Sequence, residues 1–363
     1  MALHLRHLWL TDFRSYASAD VELPAGTTAI VGRNGQGKTN LLEAVGHLAG
    51  TSVRGATTEA MVRQGAERAV VRAEATRGPR SLLLEAELAL RGRSRMQLNR
   101  QPVKRRRDLL DALTVTVFSP DDLVLVKGGP GERRRWLDDA AVALDHQTEA
   151  VRADVDRILK QRNALLKQAR GRLDQAAALT LDVWDDRLTR AGEALAARRE
   201  AALADLVPRL TDAYRDLAGR PLPVGATYEA SWRSSGLAAA LAEARDQDLR
   251  RGITTVGPHR DEVAFALDDL PARTHASQGE QRSLALSLRL AVHRAVTDVT
   301  GESPVLLLDD VLSELDDDRT EALLAHLPPG QTLLTTAGPL PRQTEPELVL
   351  RVADGVVGPG SAP

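Results

Sequence analysis

The chain of 363 residues has no cysteine, which excludes disulfides, thiolate-bound zinc, iron–sulfur clusters and thiol nucleophiles together. Aromatic residues make up only 3%, so stacking on rows of rings, a common grip on single-stranded nucleic acid, has little material to work with. Charge of one sign is not in excess: 48 Lys+Arg against 50 Asp+Glu leave a formal net charge of -2, and any nucleic-acid surface has to be a local patch. Long apolar runs are missing too, so no transmembrane helix or membrane partner is expected. The N-terminus, Met1-Ala2-Leu3-His4-Leu5-Arg6-His7-Leu8, alternates instead of forming a signal-peptide stretch, which makes the cytoplasm the expected compartment. Lysine is scarce. Only Lys38, Lys104, Lys127, Lys160 and Lys167 stand among the 48 basic residues, which singles each of them out.

What is present is the composition of a soluble globular protein, 43% hydrophobic and 27% charged, long enough to bury a large core in one large or two linked domains. Residues 3 to 31 read as short strands, with Pro24-Ala25-Gly26 turning between Asp20–Leu23 and Thr27–Val31. Alternation returns around 69–75, 81–90 and 96–98, and Leu113–Phe118 is rich in β-branched residues. From Glu132 to about Leu217 the texture is helical. Val151, Val155, Ile158, Leu165 and Ala169 follow a 4-3 spacing with Arg162 in the missing position, Gly171-Arg172-Leu173-Asp174 reverses the chain, and Leu181, Trp184, Leu188, Ala191 and Leu195 continue at 3-4 spacing. This predicts an antiparallel helical hairpin with a narrow apolar seam, its free part about 30 residues per helix or roughly 45 Å. Helices of an ordinary bundle are the other reading of so short a heptad run. Later strands are expected at 227–230, 262–267, 304–308, 331–336 and 348–352, a long helix at 278–299, and a disordered tail from Gly358. The expected divisions are therefore 1–130, a helical segment 131–218, and 219–363.

Gly32-Arg33-Asn34-Gly35-Gln36-Gly37-Lys38-Thr39 matches the P-loop pattern and is followed by Asn40. Its context is right, with the apolar strand Thr28–Val31 before it and a helical pattern from Asn40 after it. Glycines let the backbone N–H groups curl around phosphate oxygens, and the helix N-terminus adds a favourable partial charge. Lys38 is placed to reach the β- and γ-phosphates, and the Thr39 hydroxyl to bind Mg2+. Val305-Leu306-Leu307-Leu308-Asp309-Asp310 reads as a central strand buried on both faces, with two carboxylates at the end where ligands bind in open α/β sheets. In that setting Asp309 is the candidate Mg2+ ligand and Asp310 the group that orients or deprotonates the attacking water. Ser277-Gln278-Gly279-Glu280-Gln281 opens the long helix as a capping box, but Gly279 weakens a first turn and makes sense where a phosphate approaches the backbone.

These stretches resemble the ABC-type, SMC-like ATPases of chromosome maintenance, and most of all the RecF family. Besides the P-loop and the acidic pair, the resemblance rests on Asp12-Phe13-Arg14-Ser15-Tyr16, Phe118-Ser119-Pro120-Asp121-Asp122-Leu123, Val126-Lys127-Gly128-Gly129-Pro130, Arg133-Arg134-Arg135 and Gly257-Pro258-His259-Arg260-Asp261. It implies an α/β fold: an ABC-type P-loop ATPase head interrupted by a short antiparallel, coiled-coil-like helical arm. It implies ATP and Mg2+ as cofactors, with Gly32 to Asn40 on one side of the nucleotide and Ser277, Gly279 and Gln281 of a second subunit on the other, Ser277 and Lys38 joining Asp309 and Asp310 as catalytic residues. Ser313-Glu314-Leu315-Asp316 fits the D-loop. Further implications are a homodimer when ATP is bound, binding to single-stranded or gapped duplex DNA, and slow DNA-stimulated hydrolysis. The family's role implies work with RecO and RecR in loading recombinase at gaps, in replication restart and in the SOS response.

The pattern also departs from the wider class. No Q-loop glutamine is evident, Ser119–Asp122 occupying its place; Thr335-Thr336 stands where transporters carry a switch histidine; and the second acid is Asp310 instead of Glu. The nucleotide-binding subunit of a transporter, which predicts the glutamine, the histidine and no hairpin, is the enzyme alternative, and an ATP-gated clamp without significant hydrolysis is the other. For DNA, Arg91, Arg93 and Arg95 with Lys104, Arg105, Arg106 and Arg107 form a basic concentration suited to phosphate contacts, or a solvated charged face. His259-Arg260 can serve DNA, nucleotide or the closing of a turn.

Overall fold

The computed structural model describes residues 3–51, 57–104, 106–169, 171–219 and 222–360. They form two compact units. The first comprises Met1–Asp122, Ala213–Pro221 and Arg282–Pro363, the second Leu123–Asp212 and Leu222–Gln281. In this division Leu222–Gln281 groups with the helical part.

The first unit holds two six-stranded sheets. One is antiparallel throughout, in the order β2-β1-β4-β5-β6-β7, formed by β1 (Leu3–Phe13), β2 (Tyr16–Glu22), β4 (Arg68–Arg77), β5 (Arg80–Ala89), β6 (Arg95–Leu98) and β7 (Gln101–Pro102). The other runs β15-β14-β3-β13-β12-β8. In it β8 (Val115–Phe118), β12 (Val305–Asp309), β13 (Thr332–Thr336), β3 (Thr27–Val31) and β14 (Leu348–Ala353) are parallel, and β15 (Val356–Pro359) is an antiparallel edge. The segments either side of Pro24-Ala25-Gly26 thus enter different sheets. Helix α1 (Lys38–Leu48) packs on strands of both, and its Leu41, Leu42, Val45 and Leu48 belong to one core with Leu8, Leu10 and Val71 of the antiparallel sheet and Ile30, Val305, Leu307 and Leu333 of the parallel one. The other face of the parallel sheet, Leu306, Leu308 and Leu334, buries against Leu286 and Leu290 of α10 (Gln278–Thr300), Leu323 of α11 (Asp317–Ala325) and Leu217. Every residue of β12 is buried, as its apolar run predicts. The Gln331 side chain stitches the sheets where the β1 register shifts: its Oε1 accepts from Leu5 N at 2.8 Å, and its Nε2 donates to Leu5 O and Pro24 O at 2.7 Å each. The short helices α2 (Thr58–Met61) and α3 (Arg106–Leu110) complete this unit.

Gly358 and Pro359, expected in a disordered tail, lie in β15, where Pro359 pairs with Leu350. A proline is tolerated there because an edge strand needs no second row of N–H donors.

The second unit contains α4 (Val124–Lys127), α5 (Pro130–Leu144), α6 (Thr148–Ala169), most of α7 (Gln175–Ala218), α8 (Leu237–Arg251) and α9 (Ala272–His275), with a three-stranded antiparallel sheet of β11 (Leu270–Pro271), β10 (Glu262–Leu267) and β9 (Val224–Glu229). The hairpin is present, α6 and α7 reversing at 171–174, but α6 has 22 residues and the seam is not narrow. Val155, Ile158 and Leu159 bury with Leu188, Leu195 and Ala196 of α7 and also with Trp232, Leu237 and Leu241. Leu166, not Leu165, is the buried residue one turn past Arg162. A third helix widens the apolar face to the 3.6 period of a bundle, where a two-helix seam would keep the 3.5 period. Arg162 itself is fully buried, its Nε donating to Asp185 at 2.6 Å and its Nη1 to Asp248 at 2.6 Å and Thr254 at 2.9 Å. Among the described residues no helix is long and apolar enough to cross a membrane.

His293 of α10, 1% exposed, bridges Thr116 Oγ1 at 3.0 Å and Ser303 Oγ at 2.9 Å, and burial, aided by Arg294, lowers its pKa to about 4. The unfolded chain therefore takes up this proton first. The stability the neutral ring confers is complete above about pH 6.5 and is lost as pH falls towards 4. Urea titrations across that window should show a shallower loss in His293→Gln than in the wild type, the difference approaching about 3 kcal/mol.

Candidate active site

The chain leaves β3 at Val31 and enters α1 through Gly32–Gly37. Gly32 N donates to Thr336 O at 3.3 Å, which ties the loop to the end of β13. Gly37, at φ 109, occupies the N-cap and supplies no side-chain cap, so the first amides of α1 keep their donors for an anion. Lys38 Nζ is folded back onto the loop, donating to Arg33 O at 3.1 Å and Asn34 Oδ1 at 3.5 Å. Burial lowers its pKa, and the carboxylates of Asp310 and Asp309 oppose that shift. Arg33, Asn34 and Gly35 are exposed at the loop's crest.

Two neighbouring turns hold the loop. In the β1–β2 turn, Ser15 Oγ accepts from Asn40 Nδ2 at 2.9 Å and Tyr16 donates to Gly37 O at 3.0 Å. Arg14 pairs in two-pronged fashion with Glu43 of α1 at 2.8 Å and donates to Ala60 O, which accounts for the Asp12–Tyr16 motif as a brace for the helix that carries Lys38. In the β14–β15 turn, Asp354 N donates to Gln36 Oε1 and Gly355 N to Gln36 O at 3.4 Å. The β14–β15 turn is not recognisable from local spacing, because its partner Gln36 lies more than 300 residues away in the chain.

Tertiary pairing brings the acidic pair to the loop. Thr39 Oγ1 donates to Asp309 Oδ1 at 2.6 Å. Asp310 takes a left-handed backbone, φ 52, and its Oδ1 is buried with no hydrogen-bond partner among the described residues. Ser313 Oγ donates to Asp310 O at 2.7 Å and Asp316 caps α11 by accepting from Arg319 N at 2.9 Å, giving the stretch after the acids a defined shape. A hydroxyl beside a carboxylate, with an orphaned carboxylate oxygen on the next residue, is a hard-oxygen environment that fits Mg2+. No group of three or more His, Asp or Glu able to cage a metal occurs among the described residues.

Ser277, Gly279 and Gln281 belong to the second unit. Ser277 N donates to Glu280 Oε2 at 2.8 Å and Glu280 N to Ser277 Oγ at 3.3 Å, the reciprocal capping box the spacing predicts, and Ser277 is exposed. Gln281 is turned inward: 5% exposed, it donates to Ala272 O and Arg273 O of α9 at 3.2 Å each. These two bonds tie the start of α10 to α9. His259-Arg260 resolves as a closed turn, His259 Nε2 at 3.0 Å and Arg260 Nη2 at 3.3 Å both donating to Thr254 O, with burial lowering the His259 pKa to about 4. The flanking motifs are scaffold as well. Arg133 holds Glu262 and Gly128 O, Arg134 donates to Asp261 O at 2.6 Å, and Asp261 accepts from Trp232 Nε1 at 2.8 Å and from Tyr228. In the first unit Asp122 is gripped by Arg289 at 2.7 Å.

Arg91, Arg93 and Arg95 are exposed at the β5–β6 connection and Lys104 is exposed after β7, whereas Arg68 and Arg72 on β4 are paired with Glu87 and Glu85. Arg105 lies outside the described residues, as do the side chains of Arg106 and Arg107 in α3.

Residues 4–332 match the RecF/RecN/SMC N terminal domain. The DNA replication and repair protein RecF of Streptomyces avermitilis is 45% identical over 351 residues, covering 92% of this chain and 93% of that protein. RecF of Frankia alni is 44% identical over 355 residues, with the same 92% and 93% coverage. Among solved structures, a recombination mediator protein RecF with ATP, in the RecFOR pathway, superposes with a TM-score of 0.91 at 27% identity, covering 99% of this chain and 98% of that one. The chain belongs to the RecF family.

A Cβ on Gly355 would lie 2.3 Å from Ser15 O, and the residue's φ of +72 disfavours any side chain. Gly355→Ala should therefore displace the turn that holds Gln36 and weaken ATP binding about tenfold by equilibrium titration. Gly358→Ala, with nothing within 4 Å, serves as the unaffected control.

Proposed function

We propose that this member of the RecF family is an ATP-dependent DNA-binding protein of recombinational repair and replication restart, hydrolysing ATP slowly as a dimer. The observation that carries the reading is the 2.6 Å bridge from Thr39 Oγ1 to Asp309, which joins the P-loop to the acidic end of β12 as one site. In this reading the amides at the start of α1 take the phosphates, and Lys38 exchanges its loop oxygens for phosphate oxygens at little reorganisation cost, since it already points along the loop. Thr39 and Asp309 would hold Mg2+, which supplies charge neutralisation on the β- and γ-phosphates when bound. Asp310 orients the attacking water and accepts its proton at the orphaned Oδ1.

The exposed Ser277 and the Gly279 backbone complete the nucleotide site of a second subunit, so that two ATP molecules lie between two chains. Intact Lys38, Asp309 and Asp310 favour turnover over a clamp that only binds ATP. The solved relative that carries ATP is described as part of the RecFOR pathway, and we extend to this chain the corresponding partnership with RecO and RecR at single-strand gaps and a contribution to the SOS response.

For DNA, the exposed Arg91 and Arg93 of the β5–β6 connection and Arg95 at the start of β6, with Lys104 and the arginines that follow it, are assigned to backbone phosphates. The arrangement offers charge without aromatic platforms, so binding is salt-sensitive and indifferent to base sequence.

Sedimentation tests the composite site: ATP should convert the wild type from monomer to dimer, Lys38→Met should lose ATP binding or its productive use, and Ser277→Arg should bind ATP yet stay monomeric. A Ser277→Arg protein that dimerises normally sinks the two-chain site. DNA affinity measured against salt checks the patch. Replacing Arg91, Arg93 and Arg95 together by Ala should reduce the slope of log K against log salt by about 2 to 3, and an unchanged slope rejects the assignment.

A further inference from the structure

Residues 335 and 336 are both threonine, both buried at the end of β13, and they make different contacts. Thr336 is locally engaged: its hydroxyl accepts from Gly338 N at 3.1 Å, and its carbonyl anchors Gly32 of the P-loop. Thr335, 0% exposed and in register with Asp309 across the parallel pair β12–β13, faces the acidic end. Its Oγ1 donates to Asp309 Oδ1 at 2.9 Å and accepts from Asp310 N at 2.9 Å. One hydroxyl therefore spans both acids, by the side chain of the first and the main chain of the second.

The geometry makes this more than the satisfaction of a buried hydroxyl. β12 ends at Asp309, and the chain turns into the left-handed region at Asp310, φ 52 and ψ 24, a conformation that non-glycine residues adopt only at a cost. At this turn the Thr335 oxygen takes the Asp310 N–H. The Thr335 proton meanwhile lies on the oxygen of Asp309 that also accepts from Thr39. Two contacts on a single rigid, β-branched side chain set the Asp309 carboxylate and the Asp310 backbone against each other.

We infer that Thr335 is a positioning residue for hydrolysis: it keeps the metal-facing carboxylate of Asp309 and the water-facing carboxylate of Asp310 in one fixed relation, while leaving the P-loop untouched. The inference rests on the ATPase reading above. It differs from a switch side chain that meets the nucleotide, because the hydroxyl of Thr335 is directed at the two acids.

Thr335→Val retains the branched shape and removes both contacts; Thr335→Ser retains the hydroxyl. In the nucleotide-free protein, hydrogen exchange over the segment 309–312 should be at least about tenfold faster in Thr335→Val and close to wild type in Thr335→Ser. Mn2+ titrated into the ATP complex and followed by electron paramagnetic resonance should bind about tenfold more weakly in the Val variant, with metal-free ATP affinity unchanged and the Ser variant restored. Under turnover, kcat should fall at least about thirtyfold with KM within about threefold, again rescued by Ser. The inference is overturned if the Val variant matches wild type in exchange and Mn2+ affinity, if Ser fails as Val does, or if KM rises while kcat holds. A wild type that binds ATP but never hydrolyses it refutes the ATPase reading, and the exchange and Mn2+ measurements still decide whether Thr335 orders the two acids.

Discussion

The hydroxyl–carboxylate contact between Thr39 and Asp309 is the constraint on which the rest of the first unit depends. It joins two segments 270 residues apart in the chain, and it forms only if β3, β13 and β12 lie side by side and parallel in the right register. Parallel neighbours bring their C-terminal ends to one edge, where the P-loop leaves β3 and the acids leave β12. A one-residue slip of β12 would turn Asp309 into the core and Leu308 towards the loop. The all-buried β12, with alternate residues packed into two different cores, resists that slip.

The P-loop is supported from outside as much as by its own glycines. Ser15 and Tyr16 on one side and the Asp354–Gly355 turn on the other take the hydrogen bonds of Asn40, Gly37 and Gln36, and Arg14 holds the helix behind it. A loop whose amides are to meet phosphate must be held by groups other than those amides. The structure uses side chains and the backbone carbonyls of Gly37 and Gln36 for this, which leaves the helix-start donors open. The second unit is organised by buried arginines. Arg199 and Arg133 each place a guanidinium fork on one carboxylate, Asp138 and Glu262, and Arg162 divides its donors between Asp185 and Asp248. Such pairs add specificity of packing more than net stability, since desolvation offsets much of their attraction. In a chain that uses arginine almost wherever it can, these are the arginines that fix which helix meets which.

Much of this was readable beforehand where the signal was local. The P-loop spacing, the four-residue apolar run ending in Asp309-Asp310, the capping box of Ser277 and Glu280, and the reversal at 171–174 all appear at the expected places. Arg162 was visible as a gap in an apolar series, but its partners were not, because Asp248 and Thr254 lie some 90 residues away. Helix α8 escaped notice since its buried face is little more than Leu237 and Leu241 in an alanine-rich stretch. The expected hairpin of α6 and α7 is present, and α8 packs against it through Leu237 and Leu241. The inward turn of Gln281 onto α9 is likewise absent from local spacing, because position after a capping box says nothing about which way a side chain points.

By itself the sequence determined what local spacing encodes: an α/β chain with a P-loop, an acid-tipped buried strand, and a helical interruption, enough to place it in its family. Tertiary structure alone decided which hydroxyl meets which carboxylate, which backbone and side-chain groups His259 and Arg133 hold, and that Thr335 faces both acids. The reason is physical. Helix and strand periodicity are written in neighbours three to seven residues apart, whereas a buried hydrogen bond needs a partner delivered by sheet order and register, which no stretch of either strand contains.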